Sequence, residues 1–387
     1  MVKNKKKKIF YWSPCLNPVG TIKSTINSIA SVQKYGDKNF EAYLINACGE
    51  WDRYLGLLNL NNVKIINFNL NFFKYLPKEG YFKSRLSYLI IYIFCFFPLM
   101  RSLIKEKPDF LIAHLITSLP LTIMKLFNFK TKFILRISGM PKLNFLRKYF
   151  WKFVSSKISK VTCPSLELKL KLKNINLFDY QKLQFLPDAI LDIKNFSNQK
   201  KEIPKDIKNF QNRKIIIAAG RLTRQKNFSY LINEFASFCK KNDDYNLLIL
   251  GEGEKRSELE NIIIQNNLNE RVFLIGYRNN VYQYFKKAEI FILSSLWEEV
   301  GFVMVEAAIS NLFVISSNCP NGPTELLDKG NNGILFDSNK KKALEDALLN
   351  YHNLKDIKKF RVNLKKNIIR YTKFRHFLVL KKILIDF

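Results

Sequence analysis

Short apolar runs alternate with longer helical patterns along most of the chain. The runs are rich in Ile, Val, Phe and Leu, and each is followed by a turn or by residues with helical spacing. This alternation predicts parallel β-sheets covered by helices. The predicted strands are residues 8–12, 41–46, 63–67, 110–113, 132–136 and 160–163 in the first half, and 214–219, 246–250, 272–275, 290–293 and 313–316 in the second.

A polar segment rich in Lys and Asn separates the two halves. It covers about residues 188–213 and has the composition of an interdomain connection. The chain has 387 residues, more than one ordinary core organises, so two domains are expected. We therefore predict an α/β fold of two Rossmann-like domains, residues 1–190 and 191–360, with parallel sheets that face each other across a cleft. Residues 361–387 are expected to form a C-terminal helix that can return to the first domain.

The net charge is strongly positive. The chain has 64 Lys and Arg against 32 Asp and Glu, and residues 1–190 hold 31 of the basic but only 10 of the acidic side chains. A field of this sign suits membrane phospholipid, polyphosphate ligands or nucleic acid. Because the chain is rich in Lys, Asn and Ile together, biased codon composition is an alternative explanation of the charge.

The cysteines and the apolar segments indicate a reduced protein that does not span a membrane. The six cysteines lie far apart, with no pattern typical of zinc ligands, which favours free thiols in the cytosol. No cleavage site follows the basic residues 3–8, so a secretory signal is not expected. The longest apolar run, residues 86–100, would cover only about 22 Å as a helix, against roughly 30 Å of hydrocarbon. We predict that it is buried or interfacial.

A glycine and two cations follow the predicted strand 214–219. The chain continues Gly220-Arg221, and Lys226 stands just before a helical pattern. Doubly wound sheets bind ligands at the carboxyl ends of their strands, and two cations there suit a diphosphate. The alternative is that Arg221 and Lys226 are solvated loop residues of a Lys-rich protein.

Two glutamates follow the predicted strand 290–293. Because Gly301 stands between them, Glu298 is expected in a loop and Glu306 in the first turns of a helix that begins near Phe302. The free amides at the start of that helix suit a phosphate, and the two carboxylates suit sugar hydroxyls. Taken singly, Glu306 is also an ordinary first-turn acid and Glu298 a solvated one.

These segments together resemble the retaining glycosyltransferases of family 4, of the type that builds bacterial surface polysaccharides. The matching motifs are the loop 220–226, residues 248–253, residues 272–277, the Glu298-x7-Glu306 pair and residues 318–325, in the family's order over residues 215–336. The resemblance implies the two-domain GT-B fold. It also implies that Arg221 and Lys226 hold the donor diphosphate, that Glu306 binds the ribose and that Glu298 contacts the donor sugar. Further donor-binding residues implied by it are Gly20, Gly220, Gly251, Tyr277, Gly301, Phe302 and Val303.

The chain departs from the family pattern in two places. The family commonly has Glu-Gly-Phe-Gly where this chain has Glu298-Glu299-Val300-Gly301, so Glu299 either points to solvent or repels a diphosphate. In the first half, a single Gly20 stands where the family has a glycine pair. His114, after the strand 110–113, resembles the family's histidine beside the reacting sugar, although a lone histidine at a strand end is usually structural. Weaker candidates are Arg136 and Gly139.

The expected activity is that of a retaining hexosyl- or N-acetylhexosaminyltransferase. The resemblance implies catalytic contributions from His114, Glu298, Arg221 and Lys226. The expected donor is a nucleotide-sugar carrying UDP, and the expected acceptor is a lipid-linked or saccharide group in surface glycan or lipopolysaccharide synthesis. No metal or other cofactor is expected, because no Asp-x-Asp pair follows a strand and cations of the chain are available to stabilise the leaving diphosphate.

Two other functions stay open. One is a nucleotide-sugar epimerase with the same paired domains. The other is a basic nucleic-acid-binding protein, although no nucleic-acid motif is recognisable and no such partner is expected.

The expected location is the cytoplasm, with peripheral attachment to anionic lipid at the inner face of the membrane. This expectation rests on the basic first half, residues 3–8 and the aromatic segment 68–100. The alternative is that residues 86–100 form a core helix and that the lysines are solvated.

Overall fold

The chain divides into two compact units in its computed structural model. Unit 1 comprises Met1–Ile190 and Lys373–Phe387, and unit 2 comprises Leu191–Thr372. The structure describes residues 5–16, 20–36, 39–77, 81–141, 143–199, 204, 207, 210 and 212–386. Parts of the basic run 3–8, of the loop before Gly20, of the aromatic segment 68–100 and of the connection 188–213 lie outside these residues.

Strands and helices alternate in both units. In unit 1 they are β1 (Lys7–Trp12), α1 (Gly20–Tyr35), β2 (Phe40–Asn46), α2 (Leu55–Leu60), β3 (Lys64–Asn67), α3 (Tyr81–Glu106), β4 (Phe110–Ala113), α4 (Ser118–Leu126), β5 (Lys132–Arg136), α5 (Phe145–Val154), β6 (Ile158–Cys163), α6 (Leu166–Ile175) and β7 (Leu183–Phe185). In unit 2 they are α7 (Ile193–Gln199), β8 (Lys214–Ala219), α8 (Phe228–Cys239), β9 (Tyr245–Leu250), α9 (Arg256–Gln265), β10 (Val272–Gly276), α10 (Tyr282–Phe285), β11 (Ile290–Leu293), α11 (Phe302–Ile309), β12 (Phe313–Ser317), α12 (Gly322–Leu326), β13 (Ile334–Phe336), α13 (Ala343–His352) and α14 (Ile357–Ile368). The last helix, α15 (Lys373–Ile385), belongs to unit 1.

Each unit contains one fully parallel sheet. The strand order is β3-β2-β1-β4-β5-β6-β7 in unit 1 and β10-β9-β8-β11-β12-β13 in unit 2. The direction of the order reverses between β1 and β4 and between β8 and β11. Such switch points are where doubly wound sheets bind ligands. The two parallel sheets confirm the predicted fold class.

Every predicted strand is present, and β4, β5, β8 and β11 have the predicted bounds. The sequence prediction lacked β7 and β13. Each has only three residues and lies at the edge of its sheet. So short a strand leaves no apolar run long enough to distinguish it from a loop.

The helix that contains the apolar run 86–100 is longer than predicted. α3 has 26 residues, because Pro98 does not end it and the charged residues on both sides of the run are helical as well. At 1.5 Å per residue its length is about 39 Å. By length and composition it is long and apolar enough to cross a membrane, and 28% of its most apolar window is buried.

The single C-terminal helix predicted from residue 361 is wrong, since two helices share that region. The first, α14, ends at Ile368 inside unit 2, and α15 begins at Lys373 in unit 1. Between them Thr372 is extended, and the amide of Leu191 donates to the carbonyl of the buried Tyr371 at 3.0 Å. Unit 2 therefore extends to Thr372 rather than to residue 360.

Two layers of helices cover the sheet of unit 1. Alternate residues of its strands belong to two different hydrophobic clusters, as expected for the two faces of a sheet. One cluster includes side chains of α3, α4, α5 and α6, and the other includes side chains of α1, α2 and α15. The C-terminal helix is therefore part of the core of unit 1.

A buried polar network joins α1 to α15. The Oγ atom of Ser28 lies 3.0 Å from Tyr11 Oη and 2.8 Å from His376 Nε2. The other ring nitrogen of His376 lies 2.5 Å from the carbonyl oxygen of Pro187 and donates to it. Burial is the main cause that lowers the pKa of His376 to about 4, so its imidazole is neutral at neutral pH.

A buried ion pair lies beside this network. Arg136 pairs with Asp188, which also accepts a hydrogen bond of 2.5 Å from the hydroxyl of Ser24 in α1. The Nη1 atom of Arg136 donates to the carbonyl of Leu186 at 2.8 Å. Arg136, a weaker candidate for the binding cleft, is therefore held inside unit 1 by its own chain.

We predict that the stability of unit 1 falls as the pH drops below about 6.5, the ordinary pKa of histidine. The unfolded chain takes up a proton there, whereas the folded His376 stays neutral down to its pKa of about 4. Near pH 5 this protonation lowers the free energy of unfolding by about 2 kcal/mol. From neutral pH to pH 5, the free energy of unfolding of a His376→Gln variant should therefore fall by about 2 kcal/mol less than that of wild type.

Urea unfolding followed by tryptophan fluorescence measures this difference, because Trp12, Trp51 and Trp151 lie in unit 1. Arg136 and Asp188 act on the pKa of His376 in opposite directions, which leaves burial as the dominant cause. An identical pH dependence in wild type and variant would contradict the assignment.

Candidate active site

Two loops meet at the switch point of unit 2. β8 and β11 are neighbouring parallel strands, so the loops that follow them start at the same edge of the sheet. The amide of Leu296 donates to the carbonyl of Gln225 at 2.8 Å, and the side-chain amide of Gln225 donates to the carbonyl of Trp297 at 2.8 Å. The hydroxyl of Ser294 donates to the carbonyl of Lys226 at 2.7 Å. These bonds fix the two loops to each other.

Lys226 and Glu298 form an ion pair between these loops. Their side chains are 14% and 9% exposed, so both charges are largely removed from water. The hydroxyl of Ser295 donates a second hydrogen bond to the same carboxylate oxygen at 2.8 Å. The structure thus brings together two of the predicted catalytic residues.

The end of β9 lies directly behind the loop after β8. The amide of Gly220 donates to the carbonyl of Leu250 at 2.9 Å. A Cβ atom added to Gly251 would lie 1.8 Å from the carbonyl oxygen of Gly220. A side chain at position 251 would therefore displace the backbone that carries Arg221 and Lys226.

The helix α11 begins at the predicted residue, Phe302. Gly301 precedes it with φ of +73°, a left-handed conformation that favours glycine. The first amides of a helix lack partners within the helix and carry its positive dipole end, so those of Phe302 and Val303 suit an anion. Glu306, in the second turn, is 6% exposed. Its charge adds to burial in raising the pKa of Tyr282 above the ordinary value.

Glu299 is held by the segment that follows β12. Its Oε1 atom accepts a hydrogen bond of 3.0 Å from the side-chain amide of Asn321. The backbone of Glu298 also pairs with Asn321, and a Cβ on Gly322 would lie 2.5 Å from Cα of Val300. The carboxylate of Glu299 is thus tied to its own chain in a half-buried position, a third arrangement beside the two expected ones.

Arg221 and Tyr277 lie outside the hydrogen-bonded cluster around Glu298. Arg221 is exposed, and its side chain forms no ion pair with the residues that the structure describes. Tyr277 follows β10 and is 68% exposed. Both side chains are therefore accessible to a ligand.

In unit 1, His114 follows β4 at the switch point. Its amide donates to the carbonyl of Trp12 at 2.9 Å. Its ring lies 3.3 Å from the hydroxyl of Thr25 through Nδ1 and contacts the hydroxyl of Ser138 through Nε2. Burial first, and then the nearby Arg136 cation, lower the pKa of His114 to about 3. His114 is therefore a neutral imidazole with hydroxyl partners on both nitrogens.

Gly20 is the first residue of α1 and is exposed. A Cβ atom there would meet no heavy atom of the described residues within 4 Å, so these residues place no restriction on the side chain at this position.

The sequence interpretation missed the polar residues that support the site. Gln225 and Asn321 lie inside the matching motifs and Ser294 and Ser295 follow a predicted strand, but none was assigned a role, because their contacts become visible only when the loops are brought together. Among the described residues, no group of three or more His, Cys, Asp or Glu side chains is arranged to hold a metal ion.

Unit 2 matches a known protein family over most of its length. The model of the family described as "Glycosyl transferases group 1" matches residues 199–371. An uncharacterised glycosyltransferase of Methanocaldococcus jannaschii is 29% identical over 79% of this chain and 76% of its own length. The N-acetylgalactosamine-N,N'-diacetylbacillosaminyl-diphospho-undecaprenol 4-alpha-N-acetylgalactosaminyltransferase of Campylobacter jejuni is 28% identical over 58% of this chain and 61% of its own length.

The fold is also that of a solved glycosyltransferase of Rickettsia africae, which superimposes with a TM-score of 0.76 and 16% identity over 99% of this chain and 98% of its own. HepE of Anabaena, solved in complex with UDP, superimposes with a TM-score of 0.74 and 15% identity over 99% of this chain and 100% of its own. This likeness confirms the GT-B fold. In sequence, unit 2 is therefore similar to group 1 glycosyltransferases, and the name of the Campylobacter relative includes a diphospho-undecaprenol-linked glycan.

We predict that Gly251→Ala destabilises unit 2, since its Cβ would lie 1.8 Å from the carbonyl oxygen of Gly220. Relief requires a backbone shift, for which a loss of about 1–3 kcal/mol is typical. The matched control is Gly56→Ala in α2, where a Cβ meets nothing within 4 Å and stability should rise by about 0.5–1 kcal/mol. Thermal unfolding of both variants tests this, and equal transition temperatures would contradict the proposed close approach.

Proposed function

We propose that the chain is a retaining glycosyltransferase. It transfers a hexosyl or N-acetylhexosaminyl group from a UDP-sugar to a lipid-linked or saccharide acceptor in surface glycan synthesis. The observation that supports this proposal most strongly is the ion pair of Lys226 and Glu298 at the switch point of unit 2. It places a cation for a diphosphate beside a carboxylate for sugar hydroxyls.

In this proposal, different residues of unit 2 bind different parts of the donor. We assign the diphosphate to Lys226, to the exposed Arg221 and to the first amides of α11, because all of them attract negative charge. Glu298 accepts hydrogen bonds from the sugar, and Glu306 accepts them from the ribose. The remaining donor-binding residues in this proposal are Gly220, Gly251, Tyr277, Gly301, Phe302 and Val303.

As the bond between the sugar and the diphosphate breaks, negative charge grows on the leaving oxygen. Cations that are already in position stabilise that charge without reorganisation. In this proposal Lys226 and Arg221 do so without a metal, and the acceptor hydroxyl attacks from the face that the diphosphate leaves. His114 contributes hydrogen bonding rather than positive charge, because its pKa of about 3 keeps the ring neutral.

Several observations support the donor, the acceptor and the compartment. A structure with this fold binds UDP, and a relative is named for a diphospho-undecaprenol acceptor. All six cysteines are free thiols, which suits a reducing compartment, so we place the reaction in the cytoplasm.

The first test of this proposal is UDP binding measured by calorimetry. Lys226→Gln should weaken binding about tenfold or more, since a hydrogen bond to a charged group is worth about 1.5–3 kcal/mol. It should also destabilise unit 2, because Glu298 keeps a buried charge without its partner. The double variant Lys226→Gln/Glu298→Gln should recover the stability but not the affinity.

The matched control for this test is Lys240→Gln. Lys240 is exposed and follows the far end of α8, away from the loops of the switch point. The control should bind UDP like wild type. Undiminished affinity in both Lys226 variants would refute the diphosphate assignment.

The second test examines the products. With α-linked UDP-sugars and a polyprenyl-diphosphate sugar as acceptor, proton NMR should show a new α-glycosidic linkage, because the reaction retains configuration. A β-linked product would overturn retention. Interconversion of nucleotide-sugars that needs no acceptor would identify an epimerase instead.

A further inference from the structure

Unit 1 exposes an unusual amount of apolar surface on two helices of one layer. On α3 the exposed side chains are Leu86, Leu89, Ile93, Phe94, Phe97 and Ile104, each 52–60% exposed. On α5 they are Phe145, Leu146, Tyr149 and Phe153, each 55–81% exposed. We name these ten side chains the α3–α5 surface. Exposed apolar residues that are scattered singly are ordinary, but a larger exposed patch indicates contact with a protein, a membrane or a ligand.

The exposed residues of α3 are mostly separated by three, four or seven positions and so share one side of the helix. Its opposite side is in the core, where Ile91, Cys95, Leu99 and Leu103 are at most 1% exposed. α3 therefore lies along the sheet, with one apolar side buried and the other outside. A helix that crossed a bilayer would have to leave this core.

The exposed sides of α3 and α5 point in the same direction. The buried residues of both helices belong to one hydrophobic cluster on one face of the sheet, so their outer sides share the opposite direction. α4 lies between them and contacts both. Tyr92 of α3 donates to the hydroxyl of Thr122 in α4 at 2.9 Å, and Lys125 of α4 lies 4.4 Å from the ring of Phe153 in α5. The three helices therefore form one layer, and the α3–α5 surface lies on the outer side of that layer.

The charges on the helices that carry this surface are predominantly positive. α3, α4 and α5 carry Lys83, Arg85, Arg101, Lys105, Lys125, Arg147, Lys148 and Lys152 against one acid, Glu106, which pairs with Lys8 at 2.9 Å. Residues 110–166 contain ten Lys and Arg and no Asp or Glu. Apolar and aromatic side chains surrounded by cations match the interface of a bilayer that contains anionic lipid.

We propose that the α3–α5 surface docks unit 1 on an anionic bilayer, with α3 lying in the plane of the interface. Aromatic and aliphatic side chains enter the headgroup layer, and the lysines and arginines contact lipid phosphates. This places the basis of attachment on α5 as well as on the segment 68–100 considered from the sequence. The inference needs no donor or acceptor, so its test is independent of the glycosyltransferase proposal.

The experiment is cosedimentation of the full chain with vesicles of phosphatidylcholine alone or mixed with phosphatidylglycerol. Wild type should bind the mixed vesicles at low salt, bind neutral vesicles weakly, and lose most binding at high salt. Ile93→Gln/Phe97→Gln on α3 and Phe145→Gln/Tyr149→Gln on α5 should each weaken binding about tenfold or more. Lys148→Gln/Lys152→Gln should weaken binding to the mixed vesicles only.

The matched control is Leu57→Gln/Leu60→Gln on α2. These leucines are 43% and 83% exposed but lie in the other helical layer of unit 1, so binding should not change. Because all the substituted side chains are exposed, thermal unfolding should show every variant folded like wild type.

Four results would overturn the proposal. The first is no binding of wild type to the mixed vesicles at low salt. The second is an equal loss in the α2 control and the surface variants, which would remove the assignment to α3 and α5. The third is a wild-type dimer that the α3 variant converts to monomer, because the occupant of the surface would then be a second copy of the chain. Resistance of bound wild type to alkaline carbonate would also contradict docking in the plane and favour a spanning α3.

Discussion

Parallel pairing is the constraint on which the rest of this structure depends. When every strand of a sheet runs in one direction, all carboxyl ends lie at one edge, and each return to the next strand requires a crossover. In unit 2 this constraint places the loops after β8 and β11 side by side, although 68 residues separate Lys226 from the Ser294 hydroxyl that binds its carbonyl. In unit 1 it places His114 beside the end of β1. In both cases, segments that are far apart in the sequence are brought together by the pairing of the strands that precede them.

Burying the charges of Lys226 and Glu298 is unfavourable, so a contribution to stability does not by itself explain why the pair is present. Removing two charges from water costs several kcal/mol per ion, and the attraction between them repays this only in favourable geometry. The hydroxyl of Ser295 and the bonds between the two loops supply that geometry. In the proposed function, a preformed pair would present the diphosphate with a cation that is already desolvated and ordered. The side chains are desolvated and ordered when the chain folds, so this unfavourable free energy does not weaken the binding of a ligand.

Sequence patterns predicted the elements of this fold better than they predicted its contacts. A buried parallel strand is a continuous apolar run, and the runs that became β4 and β11 were recognisable for that reason. The length of α3 was not predictable from its apolar run alone, since the helix continues through charged and mostly exposed residues on both sides of that run.

The polar contacts could not be read from local sequence at all. Asn321 holds Glu299 from 22 positions away, and Asp188 holds Arg136 from 52 positions away. No short sequence pattern predicts such a hydrogen bond, because the tertiary fold determines which polar groups are buried next to each other. This explains why Glu299 fitted neither expected orientation and why Arg136, expected near a ligand, is part of the interior.

The two helical layers of unit 1 differ in what they bury and what they expose. The layer of α1 and α15 buries polar groups and satisfies them, with the Ser28 hydroxyl between Tyr11 and His376. This specifies how the end of the chain docks, because unsatisfied buried groups would be costly in any other arrangement. The layer of α3 and α5 instead leaves apolar side chains in water, where they add nothing to the stability of the fold. An apolar face that the core does not need, surrounded by cations, is the observation on which the proposed docking at an apolar and anionic surface rests.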